Sequence, residues 1–339
     1  MRRASLAVRL TLACTGGVAL LTVAALVGML VGSVPITPGD LWLAWSDPDR
    51  LDPATATILL DLRLPRVLLG ILVGASLALA GSGFQGILRN PLADPYIVGT
   101  SAGAALGASL AIVLHLPSPL PWLSPVPALA FLGALGAMMA VYRLARIGNT
   151  LPVETFLLAG VVVGSFAGAM VSFLMTLAHE DLPRVVFWLM GSLGQADASR
   201  VALVAPYLLI GGVALYLLSP ALNLASMGDE AAWSLGVDVE RLKIRVILAG
   251  SLVTAAAVSA SGLIGFLGLL VPHLTRMLVG PDHRVLMPAS ALGGAAFLVL
   301  ADTVARTVGA PQEIPVGVVT AMVGAPFFFW LLHHRKGLS

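Results

Sequence analysis

Long apolar segments, each about the length of a bilayer crossing, recur along the whole sequence and most constrain its fold. A membrane-spanning helix needs about 20 mostly apolar residues. Ten such segments occur, near residues 10–32, 62–88, 95–114, 128–146, 152–178, 201–218, 242–260, 263–280, 286–304 and 315–333. Charged residues make up 11% of the 339-residue chain, against about 25% in soluble domains. The sequence therefore predicts an all-α polytopic membrane protein with about ten transmembrane helices, in a single domain covering 1–339.

The first apolar segment follows Met1-Arg-Arg3 and continues to about Val31. A signal-peptide core has about 7–15 apolar residues, so we interpret this longer segment as the first span. A later apolar piece, 185–193, is too short to cross a bilayer, and we expect it to be re-entrant or interfacial. The single cysteine, Cys14, excludes an internal disulfide and a cysteine-based metal cluster.

Arginine and lysine are distributed unequally between the two sets of loops. With the N-terminus inside, the inner side holds Arg2, Arg3, Arg9, Arg89, Arg143, Arg146, Arg241, Lys243, Arg245, Arg276, Arg284, Arg335 and Lys336. The outer side holds Arg50, Arg63, Arg66, Arg184, Arg200 and Arg306. Basic residues are enriched in cytoplasmic loops, so the pattern predicts cytoplasmic N- and C-termini. We attribute the basic pI to this topology and expect no nucleic-acid partner.

Small residues recur every four positions within two of the predicted spans. The two series are Gly70, Gly74, Ala78 and Ser82, and Gly99, Gly103 and Gly107. Lipid gives helices no hydrophobic reason to associate, and small residues let their backbones approach closely. The spacing therefore predicts tight helix packing.

A short polar stretch, Gly228–Val237, separates two predicted spans and is expected to lie in the cytoplasm. Asp229 and Glu230 open it, where the macrodipole of a helix favours acidic residues, and Gly236 can end it. Ala231, Ala232, Trp233 and Leu235 are expected to form an apolar face. An amphipathic helix lying on lipid usually has a basic polar face. The acidic start therefore favours a protein partner over lipid.

Several chemical signatures are missing from the sequence. Neither Lys243 nor Lys336 stands in a G-x-x-x-x-G-K-[ST] frame, so any ATP must be bound by another protein. No carboxylate lies in the middle of a predicted span, which argues against an ion-coupled secondary transporter. No cluster of His, Asp and Glu occurs in the spans, which argues against a membrane-embedded enzyme. We predict no catalytic residue and no metal site, and interpret His273 as a packing residue.

Two further features allow both a structural and a functional interpretation. The Gly- and Pro-rich stretch 81–96 is either a tight turn or a non-helical hinge, because irregular backbone near a membrane must be buried or line a cavity. Arg63, Arg66 and Arg306 at outer span ends are either interfacial side chains or partners for carboxylates on another protein. The sequence leaves both alternatives open.

Six groups of motifs occur in one order along nearly the whole chain. They are Leu62-Arg-Leu-Pro-Arg66; Gly81-x-x-Phe-Gln-x-x-x-Arg-Asn-Pro-Leu-Ala-Asp-Pro95 with Gly99-Thr-Ser-Ala-Gly103; Trp188-Leu-Met-Gly-Ser192; Gly228-x-x-x-Ala-x-x-Leu-Gly236; Gly265-Phe-x-Gly-Leu-x-x-Pro-His273 with Gly280-Pro-Asp-His283; and Glu313-Ile-Pro-Val-Gly317 with Gly324-Ala-Pro326. In this order they resemble the FecCD and vitamin B12-type permeases, the membrane subunits of type II ABC importers for iron-siderophores, haem and cobalamin.

The resemblance implies a homodimer of ten-span subunits with the pathway at the interface, lined by spans five and ten and parts of span three. It implies an ATPase-coupling helix formed by Gly228, Asp229, Glu230, Ala231, Ala232, Trp233, Ser234, Leu235 and Gly236. It implies that a substrate-binding protein docks on Arg63, Arg66 and Arg306. It implies a cytoplasmic gate at Asn90, Leu92, Asn149 and Thr150.

The resulting expectation is a transport subunit rather than an enzyme, in the bacterial cytoplasmic (inner) membrane and surrounded by lipid. Its expected partners are a second copy of itself, two cytoplasmic ATPase subunits and an extracytoplasmic substrate-binding protein. The chain itself is expected to hold no cofactor, since ATP and Mg²⁺ would bind the ATPase subunits. We expect an iron(III)-siderophore as cargo, with cobalamin or haem as alternatives. An ion-coupled secondary transporter is the alternative from a different class.

Overall fold

The structure, a computed structural model, describes residues 5–47, 50–118 and 124–335. The helices are α1 (Leu6–Leu30), α2 (Pro38–Ser46), α3 (Pro53–Ala56), a π-helical turn (Thr57–Arg63), α4 (Leu64–Ile87), a 3₁₀ helix (Pro95–Val98), α5 (Thr100–Val113), α6 (Pro125–Ala145), α7 (Val153–Leu177), a second 3₁₀ helix (His179–Asp181), α8 (Leu182–Leu189), α9 (Ala198–Leu217), α10 (Ser219–Ala225), α11 (Asp229–Ser234), α12 (Val239–Ser261), α13 (Leu267–Val279), α14 (His283–Ala305) and α15 (Val316–Arg335). Arg2, Arg3 and Lys336 of the predicted inner set lie outside the described residues.

Ten apolar helices account for the predicted spans. Seven described segments are long and apolar enough to cross a membrane, and three shorter apolar helices, α5, α13 and α15, complete the set. Within the described ranges the only strand-like pairing is an isolated antiparallel bridge between Ile147 and Thr150. The prediction of an all-α polytopic fold with about ten spans is confirmed.

The second span begins earlier than predicted. The predicted span starts at Leu62 because the residues before it are rich in polar side chains, whereas the chain is helical from Pro53 through the π-helical turn into α4. Asp52 caps this helix by accepting a hydrogen bond from the backbone nitrogen of Thr55, and proline at the first helical position is pre-organised for a helix start. The predicted boundary was wrong because these local signals outweigh the polar composition.

Two of the predicted spans are interrupted at one end. The third begins as the 3₁₀ helix and restarts after Gly99, which has a φ of +79°. The eighth begins at Leu267, after a non-helical stretch 262–266 in which Phe266 has a φ of +65°. The hydroxyl of Tyr96 donates to the carbonyl of Ile264 and accepts from its backbone nitrogen, both at 3.1 Å. One tyrosine therefore satisfies backbone groups that the interrupted helix leaves open.

The connecting segments contain short helices that were not predicted in detail. α2 opens with a capping box in which Thr37 and Asp40 exchange hydrogen bonds. α8 corresponds to the predicted non-crossing piece; its eight residues span about 12 Å at 1.5 Å per residue. The segment that follows α8 is bound to the last residue of α12, because Ser192 N donates to Ser261 O at 2.8 Å. The prediction of a short, non-crossing segment agrees with this placement.

α4 is the most buried of the long helices, and the core is built around it. One hydrophobic cluster joins α4 to α5, α6, α9, α12, α13 and α14. Glycines bring the backbones together: a Cβ on Gly74 would fall on the carbonyl oxygen of Gly294 in α14, and one on Gly103 in α5 would fall on the carbonyl oxygen of Gly133 in α6. Only glycine allows these approaches, as the four-residue spacing predicts.

The connections meet at two opposite ends of the bundle. The α11 end is defined by the loops 88–94, 146–152, 218–238 and 280–282, which are joined by side-chain contacts. The Arg66 end is defined by the segments 31–47, 50–63, 178–197 and 306–315, together with the turn 262–266. The candidate functional residues divide between these two ends.

Candidate functional site

α11 is a short helix whose ends are set by glycines. Gly228 precedes it with a φ of +121°, and Gly236 follows it with a φ of +85°. Gly236 N donates to Trp233 O at 2.9 Å and Val237 N donates to Ala232 O at 3.0 Å. This pair of bonds is the Schellman arrangement that ends helices at a left-handed glycine. Gly236 therefore ends the helix, as the sequence predicts, although the helical part is confined to Asp229–Ser234.

The apolar side chains of α11 do not share one face. Ala232 is fully buried against its own chain, whereas Trp233 is 77% and Leu235 57% exposed. The predicted single apolar face was wrong because successive residues of an α-helix point about 100° apart, so the buried Ala232 and the exposed Trp233 lie on different sides. We call the exposed part, Met227, Trp233 and Leu235, the α11 surface. It adjoins an open cavity of about 620 Å³, whose lining includes Asp229 and Glu230.

The first predicted gate turn follows α4. Asn90 closes it by accepting a hydrogen bond on its side-chain oxygen from Leu92 N at 2.9 Å, and both residues are exposed. Arg89 has a φ of +49°. Its Nε donates to Ala225 O at 2.8 Å, and its Nη2 pairs with a carboxylate oxygen of Asp229. The turn is thus bound to the end of α10 and the start of α11.

The second predicted gate turn precedes α7. Ile147 and Thr150 pair their backbones through two hydrogen bonds of 3.1 Å. Arg146 holds the tip by donating to Gly148 O at 2.9 Å and to the side-chain oxygen of Asn149 at 3.1 Å. Asn149 and Thr150 are exposed at the α11 end. The structure therefore brings all four predicted gate residues to the end that carries α11; their gating role stays a prediction.

The two turns are also joined by packing. Ala93 follows the first turn and Leu151 follows the second, and both are buried in one hydrophobic cluster with Phe156 and Val98. Asp94 caps the 3₁₀ helix there by accepting from Tyr96 N at 2.8 Å. Burial raises the pKa of the Asp94 carboxyl to about 6, while the hydrogen bond from Tyr96 opposes the shift.

At the opposite end, the three predicted docking arginines come together but turn toward their own chain. Arg63 is 5% exposed and its Nη1 donates to Met29 O at 2.7 Å. Arg306 is 6% exposed and its Nη2 donates to Gly28 O. These carbonyls belong to the last turn of α1, which has no intrahelical donors for them and favours nearby cations. In this conformation Arg63 and Arg306 therefore cap α1.

Arg66 is held by two carboxylates of its own chain. Its Nε and Nη2 bind Asp302 at 2.8 and 2.9 Å, and its Nη1 and Nη2 bind Glu313 at 2.8 and 3.0 Å. The Asp302 side chain is 5% exposed and the Glu313 side chain 45% exposed. A fork-like guanidinium suits such double pairing. Docking of a partner carboxylate on these arginines stays a prediction, and it would require exchange of the internal partners.

Sequence reasoning missed Asp302 and Glu313 as partners of Arg66. The signal was available, because both carboxylates fall near the same predicted span ends as the arginines. The separation of 236 and 247 residues hid which pairs form. His273 lies against the rings of Phe327 and Phe328, at centroid distances of 6.2 and 6.0 Å, which agrees with a packing role. Among the described residues, no group of three or more His, Cys, Asp or Glu is arranged to hold a metal ion.

Comparison with known proteins places this arrangement in context. The model of the FecCD transport family matches residues 20–334. The chain is 46% identical to the cobalamin import system permease protein BtuC of Halobacterium salinarum. The alignment covers 93% of this chain and 85% of that protein. It is 43% identical over 94% of both chains to the hemin transport system permease protein HmuU of Yersinia pestis. A solved metal-chelate type ABC transporter in an inward-facing conformation superposes with a TM-score of 0.84 at 34% identity, covering 95% of this chain and 98% of that one.

Proposed function

The chain belongs to the FecCD transport family of ABC importer permeases, and on that premise we propose how it carries out import. It is a transport subunit and not itself an enzyme. Two copies form a translocation pathway in the bacterial cytoplasmic membrane. Two cytoplasmic ATPase subunits bind and hydrolyse ATP with Mg²⁺, and a substrate-binding protein delivers the cargo on the opposite side. ATP shifts the population between conformations only through contacts that differ in free energy between them.

The observation that carries this proposal is the α11 surface. Trp233 is the largest exposed side chain of a helix that is fixed at both ends by glycine turns and set beside an open cavity. Exposed aromatic side chains dominate the binding energy of many protein interfaces. Acidic residues at the start of α11 oppose binding to anionic lipid. We therefore assign the α11 surface, formed by Trp233 and Leu235 of the predicted coupling helix 228–237 and the adjoining Met227, to the ATPase subunit.

The pathway is proposed to lie between α7 and α15 of two subunits. Both helices present large apolar side chains that nothing covers in the single chain, including Val161 and Phe166 on α7 and Met322 and Phe329 on α15. Contiguous apolar surface of this kind is covered by lipid or protein. The predicted gate turns at Asn90–Leu92 and Asn149–Thr150 would close the cytoplasmic end of this pathway.

The Arg66 end is proposed as the docking face for the substrate-binding protein. Glu313 is the exposed carboxylate of the Arg66 cluster, so a partner carboxylate could replace it while the buried Asp302 stays bound. Replacement of one carboxylate by another costs little, because the guanidinium keeps two bidentate partners. This supports the predicted role of Arg66 and leaves Arg63 and Arg306 as supports of α1.

The cargo is proposed to be an iron(III)-siderophore, with cobalamin and haem as the alternatives. The two relatives compared above are named for cobalamin and hemin, so the binding preference must be measured directly. The measurement is titration of the cognate binding protein with each chelate. Tight binding of cobalamin or haem together with no siderophore binding would overturn the siderophore assignment and leave the importer role intact.

The importer role is tested by reconstituting the permease with its ATPase and binding protein in vesicles. We expect uptake that requires ATP on the side of the membrane that carries α11. Trp233→Ala should lower this uptake while leaving the thermal unfolding midpoint of the permease unchanged. Leu209 on α9 is 67% exposed and belongs to neither the α11 end nor the Arg66 end, so Leu209→Ala is the control and should leave ATP-dependent uptake intact. Uptake driven by a proton gradient without ATP would show an ion-coupled secondary transporter instead.

A further inference from the structure

Arg89 connects the first gate turn to the segment that carries α11. One nitrogen of its guanidinium holds the carbonyl of Ala225, the last residue of α10, at 2.8 Å. Another pairs with Asp229, the first residue of α11. The contact spans 140 positions of sequence. Asn90 and Leu92 follow Arg89 directly, so any displacement of Asp229 acts on the chain at the start of this turn.

Glu240 and Lys243 connect the second gate turn to the segment that follows α11. One carboxylate oxygen of Glu240 accepts from Leu151 N at 2.7 Å, and the other binds Lys243 Nζ at 2.7 Å. The same Nζ donates to Leu151 O at 3.3 Å. Both backbone groups of Leu151, which follows Thr150, are therefore held by the first turns of α12.

These contacts are poorly explained by stability alone. The Arg89–Asp229 pair is partly exposed, with side chains 40% and 53% accessible, and exposed ion pairs contribute only about 0–1 kcal/mol. The Glu240–Lys243 pair is more buried and uses its charges on backbone groups of a different segment. In contrast, Arg241 and Asp238 form an exposed pair within one short stretch and connect no separate elements.

We propose that Arg89 and the Glu240–Lys243 pair are the positioning residues that transmit movement of α11 to the two gate turns. Arg89 acts from the start of α11 on the turn containing Asn90 and Leu92. Glu240 and Lys243, in the first turns of α12 after α11, act on the turn containing Asn149 and Thr150. Because Ala93 and Leu151 share one hydrophobic cluster, the two turns respond together. This inference rests on the proposed function, since it assigns residues to the step between ATP binding and opening of the pathway.

The test uses conservative variants in the complete importer. Arg89→Gln and Asp229→Asn remove the charge pair while keeping side-chain size, and Glu240→Leu combined with Lys243→Met removes the second pair and its hydrogen bonds to Leu151 without leaving a buried charge. Each should lower ATP-driven uptake by about tenfold, a typical coupling effect, and ATP hydrolysis by the assembled complex should continue in Arg89→Gln, which lies outside the coupling helix. Arg89→Lys, which keeps a positively charged donor beside Asp229 and Ala225 O, should retain most of the uptake. Arg241→Ala is the matched control and should transport like the wild type.

A second measurement follows the turn directly. In a Cys14→Ala background, Thr150→Cys should react with a maleimide at a rate that changes when a non-hydrolysable ATP analogue is added. Arg89→Gln should abolish most of that change. Unchanged uptake in Arg89→Gln and Asp229→Asn, an equal loss in Arg241→Ala, or full ATP-dependent labelling in Arg89→Gln each overturns the inference. Absence of ATP-driven uptake in the wild type would instead overturn the proposed function.

Discussion

At the scale of single residues, the Arg66 cluster shows how a charged group is kept deep in an apolar protein. Asp302 is almost completely buried, and its charge is offset by two bonds from Arg66 and by the nearby Arg306, whose Nε lies 4.0 Å away. Removal of one partner from a buried pair leaves an uncompensated charge, which costs about 3–5 kcal/mol. Glu313 is much more exposed and can return to water when its partner is lost.

We therefore expect Arg66→Ala to lower the free energy of unfolding far more than Glu313→Gln. Relative to the wild type, the free energy of unfolding should decrease by about 3–5 kcal/mol in Arg66→Ala. It should decrease by about 1 kcal/mol or less in Glu313→Gln. Unfolding in mixed micelles measures both variants on one scale. Equal destabilisation by the two changes would contradict the view that Asp302 is the principal partner of Arg66.

Two glycines three positions apart on α6 provide a second comparison at this scale. A Cβ on Gly133 would fall on the carbonyl oxygen of Gly103, whereas a Cβ on Gly136 meets nothing within 4 Å. Gly133→Ala should destabilise the protein by about 1–3 kcal/mol, as overpacking does. Gly136→Ala should be neutral or slightly stabilising, because alanine is the better helix former. The thermal unfolding midpoints in detergent check both outcomes.

At the scale of elements, the interrupted third span places a titratable cap in a half-buried turn. The pKa of Asp94 is raised in the folded state to about 6 from 3.8, mainly by burial. The folded protein therefore binds more protons than the unfolded chain between these values, so this group adds stability below about pH 4 that is lost as the pH rises toward 6. Above pH 6 its contribution is constant.

The prediction is a difference between two proteins. As the pH is raised from about 4 to about 6.5, the thermal unfolding midpoint of the wild type should decrease more than that of Asp94→Asn. The extra decrease is the contribution of the Asp94 carboxyl. Asparagine still accepts the hydrogen bond from Tyr96 N, so the cap itself is retained. Parallel pH profiles for the two proteins would show that Asp94 keeps an ordinary pKa.

The sequence predicted the long elements well and their connections poorly. Spans such as α7 and α12 end within three residues of the predicted bounds, because apolar length is a property of the local sequence. The π-helical turn before α4 and the non-helical stretch 262–266 were missed. Their backbone geometry depends on partners far along the chain, such as Tyr96 for Ile264. The same held for the candidate site. Arg66 was identified from the sequence, whereas its partners Asp302 and Glu313 were not.

At the scale of the whole molecule, the charge pattern predicts the orientation in the membrane, and the uncovered faces of α7 and α15 are the basis of the proposed assembly. In a Cys14→Ala background, a cysteine at the exposed Ser234 should react with a membrane-impermeant reagent only in inverted vesicles. A cysteine at the exposed Trp45 should react only in right-side-out cells. The reverse pattern would invert the predicted topology, in which both termini lie in the cytoplasm.

Assembly is tested at the same scale. The proposed homodimer places α15 of one copy near that of the other, so a cysteine replacing Met322, which is exposed in the single chain, should form an intermolecular disulfide on oxidation. A cysteine replacing Val18 on the outer surface of α1 is the control and should not. Equal cross-linking at both positions would indicate random collision rather than a defined interface.

The contacts of Gly74 with Gly294 and of Gly103 with Gly133 have a mechanical consequence. Two helices whose main chains touch directly have no intervening side chains that could change rotamer, so neither can slide along the other without steric overlap. We therefore expect two rigid bodies, one formed by α4 with α14 and the other by α5 with α6. Each pair should move as a unit. The conformational change of each transport cycle is therefore expected at helix pairs that lack such backbone contacts. The positions of the hinges follow from the positions of these rigid helix pairs.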